Sequence, residues 1–152
     1  MAEGPDLDRP RDDESALRLI HPSQFQDKRI TSAAFRTRPI DNPKYRSVSL
    51  FVKERLPTGD GECLHVAQFD RHGRAMLSFE LLRSVSYNSE GTLVPCEFDA
   101  QMTPGECLPP LEAFADAHAT LSGLTYKNAA IAALALQFNT RGTLEKQPNN
   151  FD

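Results

Sequence analysis

The sequence predicts an α+β domain: a small, mostly antiparallel sheet with two C-terminal helices packed on it. Three observations carry that reading. Short stretches of alternating apolar and polar residues fill the first two thirds of the chain, turn-forming Gly, Pro, Asn and Asp separate them, and the period becomes helical only after "TPGECLPP". Strands followed by helices pack as segregated layers rather than as alternating βαβ units.

Each element follows from local pattern. "ALRLIHP" sets Leu17, Leu19 and His21 on one side of an extended segment against Arg18 and Ile20, and Pro22 stops it. "RITSAAFRT" fits either a strand or a turn of helix capped by Thr31 or Ser32. In "YRSVSLFV" the alternation of Val48, Leu50 and Val52 predicts a strand, and "LPTGDGE" predicts a loop. "CLHVAQF" and "AMLSFELL" flank "DRHGR", so 63–82 reads as a β-hairpin, with Gly73 supplying a positive φ and His72 exposed at the turn. "NSEG" at 88–91 is a turn, and "TLVPCEF" an edge strand because Pro95 cannot donate to a ladder. On that strand Glu97 and Asp99 would share a face as a paired-carboxylate site or as a plain exposed edge. "LEAFADAHATLSG" places Leu111, Phe114, Ala115, His118 and Leu121 on a helical stripe that stops at Gly123, with His118 a core histidine. "YKNAAIAALALQFN" is apolar nearly all round, which puts the second helix at the centre of the core.

The length of 152 residues suits one domain, and a chain of this size buries roughly 70% of its unfolded surface. Residues 1–15 carry too little apolar surface to offset their ordering entropy, so an acidic disordered tail is expected there. Deleting 1–14 should then change stability by no more than about 0.5 kcal/mol. The domain spans 16–142, and the polar residues 143–152 form a frayed tail.

Composition excludes several classes. The longest apolar run, Ala129 to Leu136, is far short of the roughly 20 residues that cross a bilayer. "MAEGPDLDRPRDDES" lacks the apolar stretch and cleavage pattern of a secretory signal, and three cysteines, odd in number and widely spaced, suit a reducing cytoplasm. The expected protein is therefore soluble and cytoplasmic. Gly-x-Gly-x-x-Gly, P-loop, Gly-x-Ser-x-Gly and His-Glu-x-x-His patterns are absent from the sequence, so no cofactor is implied.

"GECL" occurs twice, around Cys63 and around Cys107, but the flanking "HVAQFD" and "PPLEAF" do not agree, so the repeat is coincidence rather than duplication. Cys63, His65, Cys96 and Cys107 could in principle form a Cys3His set. Neither Cys-x2-Cys nor His-x3-His spacing is present, so no metal is expected and the thiols read as buried and inert.

Charge is unevenly distributed. Residues 1–15 hold six acids against two bases, whereas 28–55 hold Lys28, Arg29, Arg36, Arg38, Lys44, Arg46, Lys53 and Arg55 against Asp41 and Glu54. A basic belt inside an acidic chain is either a solvated face or an anion site. The stretch "HPSQFQDKRITSAAFRTRP" joins His21 and the hydroxyls of Thr31 and Ser32 to Arg29, Arg36 and Arg38, with Lys44 and Arg46 following. Hydroxyls and guanidinium groups supply the donors that an anionic group needs. The expected function is thus a binding or accessory module that contacts an acidic protein surface, phosphate or nucleic acid through the belt. The acidic tail could fold back on the belt and compete with that partner.

Two resemblances bear on this. The His-Pro, the following aromatic and the "SAAF" segment in the first third of the chain resemble the opening of small uncharacterised bacterial proteins, which implies no particular activity. Arg18 on a first strand, Thr31-Ser32 and "EFD" at 97–99 resemble the Arg, Ser-Thr-Ser and Glu elements of ADP-ribosyltransferases. That likeness implies a small nucleotide-dependent transferase in which Arg18 and Ser32 grip cofactor phosphates. The Arg18 to Ser32 spacing is short for the family, the serine motif is incomplete and no Glu-x-Glu follows, so the enzyme reading ranks second.

Overall fold

The protein is described by a computed structural model covering residues 9–35, 48–57, 61–65, 69–107, 111–122 and 128–148. Ten strands are present among these residues: β1 (Ser15–Ile20), β2 (Phe25–Gln26), β3 (Arg29–Ile30), β4 (Ser49–Val52), β5 (Gly73–Ser78), β6 (Ser86–Ser89), β7 (Thr92–Pro95), β8 (Asp99–Met102), β9 (His118–Ser122) and β10 (Thr143–Lys146). Two α-helices accompany them, α1 (Phe79–Arg83) and α2 (Asn128–Thr140). The α+β class holds, but the sheet is larger than the sequence predicts, with six strands in the order β10-β5-β1-β4-β9-β8. Every pairing within it is antiparallel.

β1 is the spine of that sheet because its alternation serves both faces. Ala16 and Ile20 join one buried cluster with Phe35, Leu50, Val52, Leu77, Phe98, Leu134 and Phe138, against which α2 packs. Leu17 and Leu19 join a second cluster on the opposite side with Phe51, Leu56, Leu64 and Leu111. Burying both faces requires near-continuous apolar residues, and β1 and β4 have them. Phe35 and Phe138 meet with ring centroids 5.0 Å apart, which ties the short 3-10 turn Ser32–Phe35 to α2. Asn139 reinforces the join, since Ile30 N–H donates to Asn139 Oδ1 at 2.9 Å and Asn139 Nδ2 donates back to the Ile30 carbonyl at 2.9 Å.

Several expectations change. The stretch 111–122 is not an α-helix: Glu112–Ala117 forms 3-10 turns, and His118–Ser122 is a strand paired with both β4 and β8. Ala119 and Leu121 face the α2 side while His118 faces Phe51, a period of two that the helical stripe conceals. Only one of the two expected C-terminal helices therefore exists. That helix, α2, is buried on one face alone, and its Leu136 is 54% exposed. The predicted hairpin over 63–82 is not formed by the described residues: Gly61–Leu64 is a 3-10 turn, and β5 pairs with β1 and β10 instead. Residues 143–146 are an edge strand on β5 rather than a frayed end. The turn at 88–91 does close a hairpin, β6 to β7, with Glu90 and Gly91 at positive φ.

Residues 9–14 are docked rather than free. Glu14, 3% exposed, accepts from Arg55 Nε and Nη2 at 2.8 Å each. Arg83 donates to Asp12 and to the Pro10 carbonyl, and at the start of α1 Phe79 N–H donates to the Glu14 carbonyl and Glu80 N–H to the Asp12 carbonyl. The tail 1–15 was expected to be disordered because its apolar content is low; residues 1–8 lie outside the described residues, and 9–14 are held by charged groups with partners on α1 and beside β4. No helix among the described residues is long and apolar enough to cross a membrane.

Candidate functional site

A concavity lies where β1 and β4 part. Their pairing covers only Ala16 with Val52 and Leu17 with Phe51, so the strands separate beyond that point. Arg18 occupies the gap. Its Nε donates to the Ala34 carbonyl at 3.0 Å and its Nη1 to the Ser49 carbonyl at 2.8 Å, which satisfies part of the backbone the parted strands leave open. A cavity of about 330 Å³ opens beside it, its lining made up of apolar Leu19, Phe51, Phe69 and Leu111 together with Ser49, Gln24, His21, His72, His118, Glu106 and Cys107. That volume sits at the lower end of the range for small-molecule sites.

The electrostatics of the site are unusual. Arg18 keeps some surface toward the cavity while protein encloses the rest of it, and burial lowers its guanidinium to about 10. No carboxylate among the described residues pairs with it. Glu106 lines the same cavity but is exposed, with Oε2 3.4 Å from Thr120 Oγ1. Removing a guanidinium from water costs several kcal/mol on an order-of-magnitude scale unless a counter-charge offsets it, and two carbonyls do so only in part.

Three histidines frame the cavity. His21 caps the 3-10 turn Pro22–Gln24: its Nδ1 accepts from Ser23 N–H at 3.0 Å, and its own N–H donates to Gln24 Oε1 at 2.9 Å. His72 stacks edge-on between His21 and Phe69, with ring centroids at 5.2 and 5.0 Å. It is half-buried, not exposed at a turn as the sequence suggests, and its Nδ1 is buried with no partner among the described residues. Burial, followed by the charges of His21, His65 and Arg18, pushes its pKa down to about 4. His118 is buried, 5.5 Å edge-on from Phe51, and its Nδ1 lies 2.9 Å from the Thr103 carbonyl. Burial lowers its pKa as well, against the pull of the Thr103 carbonyl. Both rings are thus neutral at pH 7.

Of the residues singled out from the sequence, His21 reaches this cavity. Arg29 is exposed on β3, Thr31 Oγ1 donates to the Gln24 carbonyl at 3.1 Å, and Ser32 opens a 3-10 turn away from the lining. Arg36, Arg38, Lys44 and Arg46 lie outside the described residues. At the far end of the belt Lys53 pairs with Glu145 at 3.5 Å and Arg55 with Glu14 at 2.8 Å, so these two are structural cations. The Glu97/Asp99 pair is not a site on one strand face. Glu97 is exposed at φ +59 outside β7 and β8, and Asp99 is held by Arg9 and Arg83 at 2.8 Å each. Neither Ser32 nor Asp99 lines the cavity that Arg18 lines.

The cysteines are spread over two faces. Cys96 sits in the α2-side cluster, whereas Cys63 and Cys107 pack against the opposite one. Burial raises the thiol pKa of both Cys96 and Cys107, and Cys107 Sγ donates to the Leu111 carbonyl at 3.1 Å. No cluster of three or more metal-ligating side chains occurs among the described residues. Ser49 and Phe51 come to the site from β4, Glu106 and Cys107 from the turn after β8 and Leu111 from the segment before β9; Cys107 and Leu111 stood out in the sequence for other reasons, and no local pattern joined these three stretches. Comparison with protein-family models, with curated proteins and with solved structures gives no match to this chain.

Proposed function

We propose that the protein is a binding module whose ligand presents an anionic group to Arg18 in the cavity between β1 and β4. One observation carries this reading: Arg18 is an enclosed guanidinium, oriented by the Ala34 and Ser49 carbonyls, with no carboxylate partner among the described residues. An anion entering the cavity would offset the cost of enclosing that charge, and two fixed hydrogen bonds pre-orient the donors that remain. The expected partner is then a small molecule rather than an extended polyanion. Exposed Lys28 and Arg29 on the β2–β3 hairpin are the described part of the alternative, a belt that contacts an acidic surface or nucleic acid.

Calorimetric titration with inorganic phosphate, benzoate and adenosine monophosphate separates the two. Saturable binding of at least one, lost in Arg18→Gln and kept in Arg29→Gln, supports the cavity. Loss in Arg29→Gln with retention in Arg18→Gln would move the site to the belt. No binding of any probe would remove the proposal.

A further inference from the structure

Resting on the Arg18 reading, we infer that the cavity selects a monocarboxylate with an apolar, ring-sized body over a phosphorylated ligand. Charge and shape of the lining both favour such a ligand. Among the described residues Arg18 is the single Lys or Arg in the lining, and Glu106 brings a carboxylate to the same lining. A phosphate monoester brings close to two negative charges at pH 7 and is ordinarily met by several cations or by a nest of backbone N–H groups. The described lining supplies one Lys or Arg cation, and the Glu106 carboxylate opposes a second negative charge. His72 and His118, which could have added positive charge, are held neutral by burial.

Shape points the same way. Leu19, Phe51, Phe69 and Leu111 supply the apolar part of the lining, and the Phe51–His118 and Phe69–His72 contacts, at centroid distances of 5.5 and 5.0 Å, brace its aromatic rings. A volume of about 330 Å³ accommodates a benzene-sized group with a short acidic arm. A carboxylate matches what is left of the Arg18 fork, since a planar two-oxygen acceptor can take the donors not committed to Ala34 and Ser49. The sugar ring and phosphate of a nucleotide would place polar surface against Leu19, Phe69 and Leu111.

The test is calorimetric titration of the full chain at pH 7.5 with phenylacetate, acetate and phenyl phosphate. Phenylacetate is expected to bind at least tenfold more tightly than either of the others, acetate lacking the body and phenyl phosphate carrying the excess charge. The exposed Glu106 gives a variant that leaves the core intact: Glu106→Arg should shift the preference toward phenyl phosphate by about tenfold, as a second cation replaces an anion. Phenyl phosphate binding to the unaltered chain as tightly as phenylacetate, with loss in Arg18→Gln, would overturn the monocarboxylate inference while leaving the Arg18 anion site standing. Binding of phenylacetate that survives in Arg18→Gln, or a preference that Glu106→Arg does not move, would overturn the inference at this cavity. No binding of any of the three would overturn both it and the Arg18 reading.

Discussion

Changing Glu14 to Ala is expected to destabilise the protein by about 2–4 kcal/mol, although the residue falls in a segment that composition marks as disordered. Glu14 is 3% exposed and Arg55 11%; the carboxylate accepts two bonds of 2.8 Å from Arg55 and a third of 2.9 Å from Arg11 N–H. Removing one member of a buried, hydrogen-bonded pair costs about 3–5 kcal/mol because the other charge stays buried without its partner. Arg55 is not wholly enclosed and also reaches the Arg9 carbonyl at 3.4 Å, so the lower part of that range applies. Against a typical total of about 5–15 kcal/mol this is a large fraction, and it corresponds to a fall in Tm of roughly 5–15 °C for a domain of this size. Urea denaturation with a fixed m-value reads the change as a lowered midpoint. The double variant Glu14→Ala/Arg55→Ala should cost less than the sum of the single changes, since the stranded charge is gone. A loss below about 0.5 kcal/mol in Glu14→Ala, the usual size for exposed positions, would refute the docking of this segment.

Four further outcomes follow from particular contacts. On acidification, burial has lowered the His72 and His118 pKa values below their unfolded value, so their contribution is complete above about pH 6.5 and is lost as pH falls below it; His72→Gln should flatten the decline between pH 7 and 5 by about 1–2 kcal/mol in urea titrations. Below about pH 4.5 a second decline is expected from Glu14 and Asp99, whose pKa values are lowered because their arginine partners outweigh the effect of burial, so that their stabilisation disappears as pH falls through the folded values. Lys28 sits at φ +62 in a two-residue turn after Asp27 at φ +52, so Lys28→Gly should stabilise by about 0.5–1 kcal/mol in the same assay; a loss would show that the side chain does more than cap a turn. Gly142→Ala should destabilise by more than about 1 kcal/mol, because its Cβ would lie 2.3 Å from the Met76 carbonyl oxygen and 2.6 Å from that of Phe138, where no flexible side chain can yield.

The sequence by itself determined the class of the fold and its strongest elements. β1 and β4 could be read because short apolar alternation bounded by Pro and Gly has few other solutions, α2 because a run of Ala and Leu is long enough to exclude a strand, and the β6–β7 turn because Asn-Ser-Glu-Gly offers positive φ where a hairpin needs it. His21 was legible as a candidate because a His-Pro beside basic residues is locally visible. What the tertiary structure decided lies wherever two local readings had equal merit. His118 to Leu121 satisfies both a helical stripe and a strand alternation, and pairing with β4 and β8 on both sides settled it as a strand. The docking of residues 9–14 was decided by partners more than forty positions away, Arg55 and Arg83, which no window on that segment contains. The cavity was decided in the same way. Its cation is an ordinary strand residue in sequence, and its character comes from the parting of β1 from β4 and from two carbonyls that orient it, so the environment that makes Arg18 a candidate exists only once the chain is folded.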